Sequence, residues 1–213
     1  DGVPDNKNIF YSVINPQGEV VKKTYDQPIV ITAAAKLEVA AMVEGEVVDK
    51  RIAFFNINKA TGRKLRLSID PAPQYGKGGP SALINGIMGS VTRFNDDEWL
   101  GWNGKDFEGI LDFGREETFK KINLRFYKAP SSWIYMPSSI KISVSADGVA
   151  YREIAFKNNP DTGQMGAQAH GFSFDATKTR FIKINAANNG IIKSGFPGEG
   201  FPAWLFVDEV VVE

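Results

Sequence analysis

Apolar residues recur along this chain at every second position in short runs, and helical spacing is nearly absent. Residues 120–127 alternate strictly, with Ile122, Leu124 and Phe126 on one face and Lys121, Asn123 and Arg125 on the other. That pattern predicts a half-buried antiparallel strand. Residues 29–43 are rich in alanine, which favours a helix by propensity. Yet Leu37, Val39 and Ala41 alternate with Lys36, Glu38 and Ala40, and β-branched Ile29, Val30 and Ile31 precede them. Two strands split near Ala34-Ala35 are predicted there. Further strands are expected over 9–14, 46–54, 64–69, 110–113, 140–145, 152–156, 172–174, 180–186 and 205–212.

Turn signals separate these runs: Asn15-Pro16-Gln17-Gly18, Ala146-Asp147-Gly148 and Asn158-Asn159-Pro160-Asp161. Short strands at this spacing indicate an all-β sandwich or jelly roll. A polar turn, Asn58–Arg63, follows an apolar strand and marks a boundary. The expected domains are a small sandwich over 1–62 and a larger one over 63–213. No internal repeat or low-complexity tract is present.

Composition removes several kinds of chemistry. With 25 Lys+Arg against 25 Asp+Glu, the chain has no net charge to draw it to nucleic acid or anionic lipid. Having no cysteine and a single histidine, it cannot build a cysteine nucleophile, a disulfide framework or a multi-histidine metal centre. His170 flanks a glycine-bounded loop and is expected at the surface. No apolar run is long enough for a transmembrane helix. The chain opens at Asp1 without an initiator Met or a signal peptide, as a fragment of a longer protein would.

Two segments carry the functional signal. Residues 78–114 pass through an Asn85-Gly86 corner and a polar loop with Trp99 and Trp102, and the chain closes on a strand carrying Asp208 and Glu209. An oxygen-rich corner and a carboxylate on the last strand can meet and share a cation. Tryptophans in loops suit a surface that stacks on sugar rings.

With these residues in view, the span 64–213 resembles the coagulation factor 5/8 type C, or discoidin-like, domain, also described as a family 32 carbohydrate-binding module. The matching pieces are Asn85-Gly86, Trp99 and Trp102, Leu111-Asp112-Phe113-Gly114, Ser145-Ala146-Asp147-Gly148, Arg180–Ile184 and Glu209-Val210. The texture of GGPSALINGIMGS, WLGWNG, SWIYMP and AWLFVDE is similar to the C-terminal region of bacterial family 20 glycoside hydrolases, the β-N-acetylhexosaminidases or chitobiases. Residues 1–60 resemble the small sandwich that follows the barrel in those enzymes, although the usual T-x-D-G-x-x-P turn is replaced by Ile14–Gly18. The resemblance implies an all-β chain: a small immunoglobulin- or fibronectin-like sandwich, then a galactose-binding-domain-like jelly roll.

By the same resemblance, structural calcium would be held by Asn85, Ser90 and Glu209, with carbonyls between Leu83 and Ser90. Asn replaces the family's Asp at the corner, which removes one negative charge. The same residues could instead make an Asn-Gly turn with Glu209 hydrogen-bonded to loop amides. Candidate sugar contacts are Trp102, Asn103, Lys128, Trp133, Asn188 and Phe196, with Trp133 placeable either in the core or on the surface. The family's catalytic Asp-Glu pair lies in a His-x-Gly-Gly-Asp-Glu setting on its barrel, and Asp208-Glu209 has no such setting. The expected role is a non-catalytic accessory region, in a periplasmic, cell-surface or secreted bacterial enzyme. It would bind N-acetylhexosamine- or galactose-type glycans beside the parent's catalytic barrel. A scaffold or dimerisation module without glycan binding is the alternative.

Overall fold

The computed structural model describes residues 8–213. The chain divides into two compact units, the first ending at Asn58 and the second running over Lys59–Glu213. In the first, β1 (Asn8–Ile14), β2 (Val20–Thr24), β3 (Ala35–Val43) and β4 (Glu46–Phe55) form one antiparallel sheet in the order β2-β1-β3-β4. The Asn15 side chain closes the β1–β2 hairpin by accepting the amides of Gln17 and Glu19 at 3.0 and 2.9 Å. Register sets Leu37, Val39 and Ala41 opposite Val13, Tyr11 and Ile9, so the alternation of β3 makes an apolar face. On the other face Glu38 pairs with Lys36 and Lys50, and those two ammonium groups hold its carboxyl down at about 2.

The described residues do not show the small sandwich expected over 1–62. The first unit is a single sheet, and none of its described residues is buried. Residues 29–34, expected as a separate strand, run outside any strand, and the described residues of this unit form one layer. The boundary also falls before 62. The Lys59 amide donates to the Val212 carbonyl (3.0 Å), that of Gly62 to Ile84 (2.9 Å), and Ala60 is fully buried in the second unit's core.

The second unit contains β5 (Lys64–Leu67), β6 (Leu100–Asn103), β7 (Phe107–Lys128), β8 (Ser139–Ser145), β9 (Arg152–Asn158), β10 (Gly166–Ala187) and β11 (Trp204–Val212). Their order is β6-β11-β7-β10-β8-β9, with β5 added to β7. Strands β7 and β10 are each 22 residues long, where sequence pattern predicts two short strands apiece. Register shifts between Ser173 and Thr177 and between Thr179 and Phe181 interrupt their ladder. On one side of the shifts β7 also pairs with β5, and on the other with β11. The two halves thereby form two layers around one core. Leu111, Ile142 and Ile184 from one half meet Ile122, Leu124 and Val207 from the other, all fully buried. Each such side chain contributes roughly 1.5–3 kcal/mol through removal from water.

His170 is not at the surface. It lies on β10 with its imidazole buried, 5.8 Å from the Phe126 ring. Burial lowers its pKa below the ordinary 6.5, and Lys157 pushes in the same direction. The unfolded chain therefore takes up a proton that the folded chain resists, and stability falls as pH drops through 6.5 toward the lower folded value. Denaturant unfolding of the parent and of His170→Leu should show the larger loss in the parent between about pH 7.5 and 5.5. The histidine resonance of the folded chain should titrate with a midpoint below 6.5.

Candidate functional site

Two places in the second unit gather polar groups in unusual settings. The first is a β-bulge in β11. Val207 pairs with Phe126 and Val210 with Leu124, which leaves Asp208 and Glu209 together opposite Arg125. The bulge aims both fully buried carboxylates at the 85–90 corner. Glu209 Oε1 accepts the Gly86 amide at 3.0 Å. Asp208 Oδ2 accepts the Gly89 amide at 3.0 Å and Arg125 Nη1 at 2.5 Å, while Arg125 Nη2 donates to the Gly89 carbonyl at 3.2 Å. The guanidinium lies over the Trp99 ring, 5.3 Å from its centroid, and Trp99 Nε1 donates to the Ser90 carbonyl. Gly89 is needed there for close approach, since a Cβ would collide with the Trp99 indole nitrogen. Desolvation pushes the Asp208 carboxyl up to about 7, against the opposing pull of Arg125 and of the Glu209 and Gly89 amides. Neither carboxylate reaches solvent, so neither can protonate or attack a glycosidic bond.

The second place is a cavity of about 410 Å³ at the loops that follow β7, β9 and β10. Lys128, Tyr135, Asp161, Asn189, Lys193 and Phe196 are among its lining residues. Its charged wall is fixed: Lys128 Nζ donates to Asp161 Oδ2 at 2.6 Å. Burial works to raise the Asp161 carboxyl, but the bonds from Lys128, the Gly163 amide and Gln168 together hold it below its ordinary value. Tyr135 ties the 191–201 loop down by donating to the Pro197 carbonyl at 2.9 Å.

Beside it, Trp133 and Phe201 stack at 4.9 Å with 16° between their planes, and they are 37% and 55% exposed. Trp133 has a left-handed backbone (φ 62), an uncommon state for a bulky residue. Bonds hold it there: its amide donates to Pro130 and its carbonyl accepts the Trp204 amide, each at 2.8 Å. Gly198 (φ 85) packs so close that a Cβ would lie 2.6 Å from Trp133 Cδ1. A strained aromatic, exposed and over-determined by its neighbours, is the kind of residue that collects at ligand sites.

The structure brings together some of the predicted sugar contacts and separates others. Lys128 and Phe196 line the cavity, and Trp133 stands exposed on the same loop cluster. Trp102 is a correction. It lies on β6, is 1% exposed, packs against Phe107 and donates from Nε1 to the Ile69 carbonyl, so no sugar can stack on it. Asn188 spends its side chain on structure: Nδ2 donates to the carbonyls of Lys105 and Ala203, and Oδ1 accepts the Gly190 amide. Asn103 is exposed at the end of β6 and is not among the lining residues.

Of the three residues expected to hold calcium, Glu209 faces the 85–90 corner through the Gly86 amide, while the side chains of Asn85 and Ser90 bond within their own loop. Asn85 Oδ1 accepts the Ile87 amide and its Nδ2 donates to Glu98, both at 2.7 Å, and Ser90 Oγ faces Thr92. Among the described residues no cluster of three or more His, Cys, Asp or Glu could hold a metal ion. Residues that sequence reasoning passed over include Arg125, Asp161 and Lys193. The buried Asp208 gives a signal for Arg125, because a carboxylate in an apolar strand demands a counter-charge.

A two-layer discoidin-like sandwich with a cavity built from its end loops is the class that this geometry defines. Residues 48–194 match the F5/8 type C domain, and the chain belongs to that family. No curated protein matches it. Solved structures similar to it include the CBM32 of AlyQ in complex with 4,5-unsaturated mannuronic acid (17% identity, covering 70% of this chain and 93% of that one, TM-score 0.44). CpGH89CBM32-5 from Clostridium perfringens, in complex with GalNAc-β-1,3-galactose, is 19% identical over 70% of this chain and 93% of that one, at a TM-score of 0.45. A Streptococcus pneumoniae fucose binding module is 16% identical over 74% and 94%, at 0.47.

The contrast between the tryptophans can be measured. Trp102→Ala should cost about 3–5 kcal/mol in denaturant unfolding, because it opens a cavity in the core. Trp133→Ala, on the loop face, should cost less than about 1 kcal/mol.

Proposed function

We propose that the second unit is a non-catalytic carbohydrate-binding module whose site is the cavity between Lys128, Asp161, Asn189, Lys193 and Phe196. One observation carries this reading: exposed aromatics and fixed polar groups converge at one loop cluster of an F5/8 type C sandwich. Phe196 and the Trp133–Phe201 pair offer apolar surface to the C–H side of a sugar ring. The carboxylate of Asp161, the amide of Asn189 and the ammonium groups of Lys128 and Lys193 supply acceptors and donors for its hydroxyls. About 410 Å³ is room for a mono- or disaccharide, not for a buried polymer.

The ligands are N-acetylhexosamine- or galactose-type glycans, and the parent protein is a family 20 β-N-acetylhexosaminidase acting outside the cytoplasm. The motifs around Asn85, Trp133 and Trp204 support that parentage by resemblance. The first unit, a single sheet in its described residues, corresponds in chain order to the small domain that follows the barrel in such enzymes. No helix of the described residues is long and apolar enough to cross a membrane. Weak binding near a catalytic site raises the local concentration of substrate, which is the gain expected from such a module.

Isothermal titration of the 213-residue chain with N-acetylglucosamine, N-acetylgalactosamine and galactose tests the reading. At least one should bind, and Phe196→Ala should weaken it about tenfold, the weight of one aromatic contact. Asn103→Ala should bind as the parent does. Silence across all three sugars and a wider glycan array would favour a scaffold instead.

A further inference from the structure

The 85–90 corner has the hydrogen bonding of a loop that already holds a cation. A calcium ion collects six to eight oxygens, drawing loop carbonyls and side-chain oxygens inward. Here the amides of Gly86 and Gly89 point at Glu209 and Asp208, the reverse polarity. Asn85 and Ser90 direct their side-chain oxygens to the Ile87 amide and to Thr92. Two of the three side-chain donors implied for calcium, Asn85 and Ser90, are therefore committed within the loop, and the third, Glu209, is bonded to the Gly86 amide.

The positive charge at this place belongs to Arg125. Its side chain is buried, and its two terminal nitrogens reach the Asp208 carboxylate and the Gly89 carbonyl. A metal would make the same kinds of bond, to a carboxylate of the last strand and to a carbonyl of the corner. A guanidinium makes them with N–H groups in a fixed plane, and that plane also covers the Trp99 ring. We propose that Arg125 takes the part of a calcium ion in this domain. The side chain pins the corner to the β11 bulge, and the fold is independent of divalent metal. The bulge is what makes this possible, since it turns Asp208 toward the Arg125 guanidinium and Glu209 toward the Gly86 amide.

Thermal unfolding of the intact chain in EDTA and in excess calcium chloride tests the proposal directly. The midpoints should agree within about 1 °C. A rise with calcium overturns the proposal, as does a calorimetric calcium-binding isotherm that Glu209→Gln abolishes. Arg125→Met should lower the midpoint by more than about 5 °C, because it leaves Asp208 buried without its partner. Arg125→Lys should recover only part of the loss, since an ammonium lacks the fork. An Arg125→Met chain as stable as the parent also overturns the proposal. If that variant does not fold, the calcium comparison on the unsubstituted chain still separates metal dependence from independence. None of these outcomes bears on sugar binding, which involves other residues.

Discussion

Strands β7 and β10 run antiparallel through both layers of the second unit, and every other strand reaches the core through them. Strands β5 and β11 hang on β7, and β8 hangs on β10; β6 and β9 are one step further out. Two interruptions in the β7–β10 register let one continuous ladder serve two sheets. The price in lost ladder bonds is small beside the gain of a core closed by residues from both halves. The same ladder places the candidate sugar site: Lys128 ends β7, Gly166 opens β10, and the two residues are paired. Loops on either side of that pair build the cavity, so a rigid scaffold carries the variable chemistry.

The β11 bulge adds a second constraint. Unbulged pairing would put one residue opposite Arg125, and alternation would turn Asp208 and Glu209 to opposite faces. With the extra residue both carboxylates bond to the 85–90 corner, which then lies over Trp99 and Tyr127 on the outer face of β7. This part of the sheet is thus buried on both sides. That explains why Arg125, Phe126 and Tyr127 are all buried although the sequence there alternates.

The all-β class is legible because period-two runs are separated by clear turn chemistry, as at Asn15–Gly18 and Ala146–Gly148. The long strands are not, since residues 114–118 and 175–179 look like polar breaks, while both strands continue through them past a left-handed Gly114 (φ 78) and two register shifts. Trp102 is hard to place from sequence for a related reason. Its strand has only four residues, two of them Gly101 and Asn103, too few to show a period. Arg125 falls on the polar side of an alternating strand, and only the tertiary cover of the 85–90 loop makes that side interior. Phe196 and Lys128 are readable as a loop aromatic and a strand-end cation. Their meeting with Asp161 and Lys193 depends on loop closure, which sequence spacing does not encode.

Among the described residues, the single sheet of the first unit ends in two edge strands, β2 and β4, and an edge strand is a template for pairing with another chain. Lys22 and Lys23 sit at the middle of one; Asp49, Lys50 and Arg51 lie along the other, beside a register shift in the β3–β4 pairing. A second copy adding itself strand to strand along β2 would bring ammonium groups face to face. The margins of this sheet thereby discourage fibrous growth by electrostatic repulsion and irregular spacing, while its apolar face keeps its regular pleat.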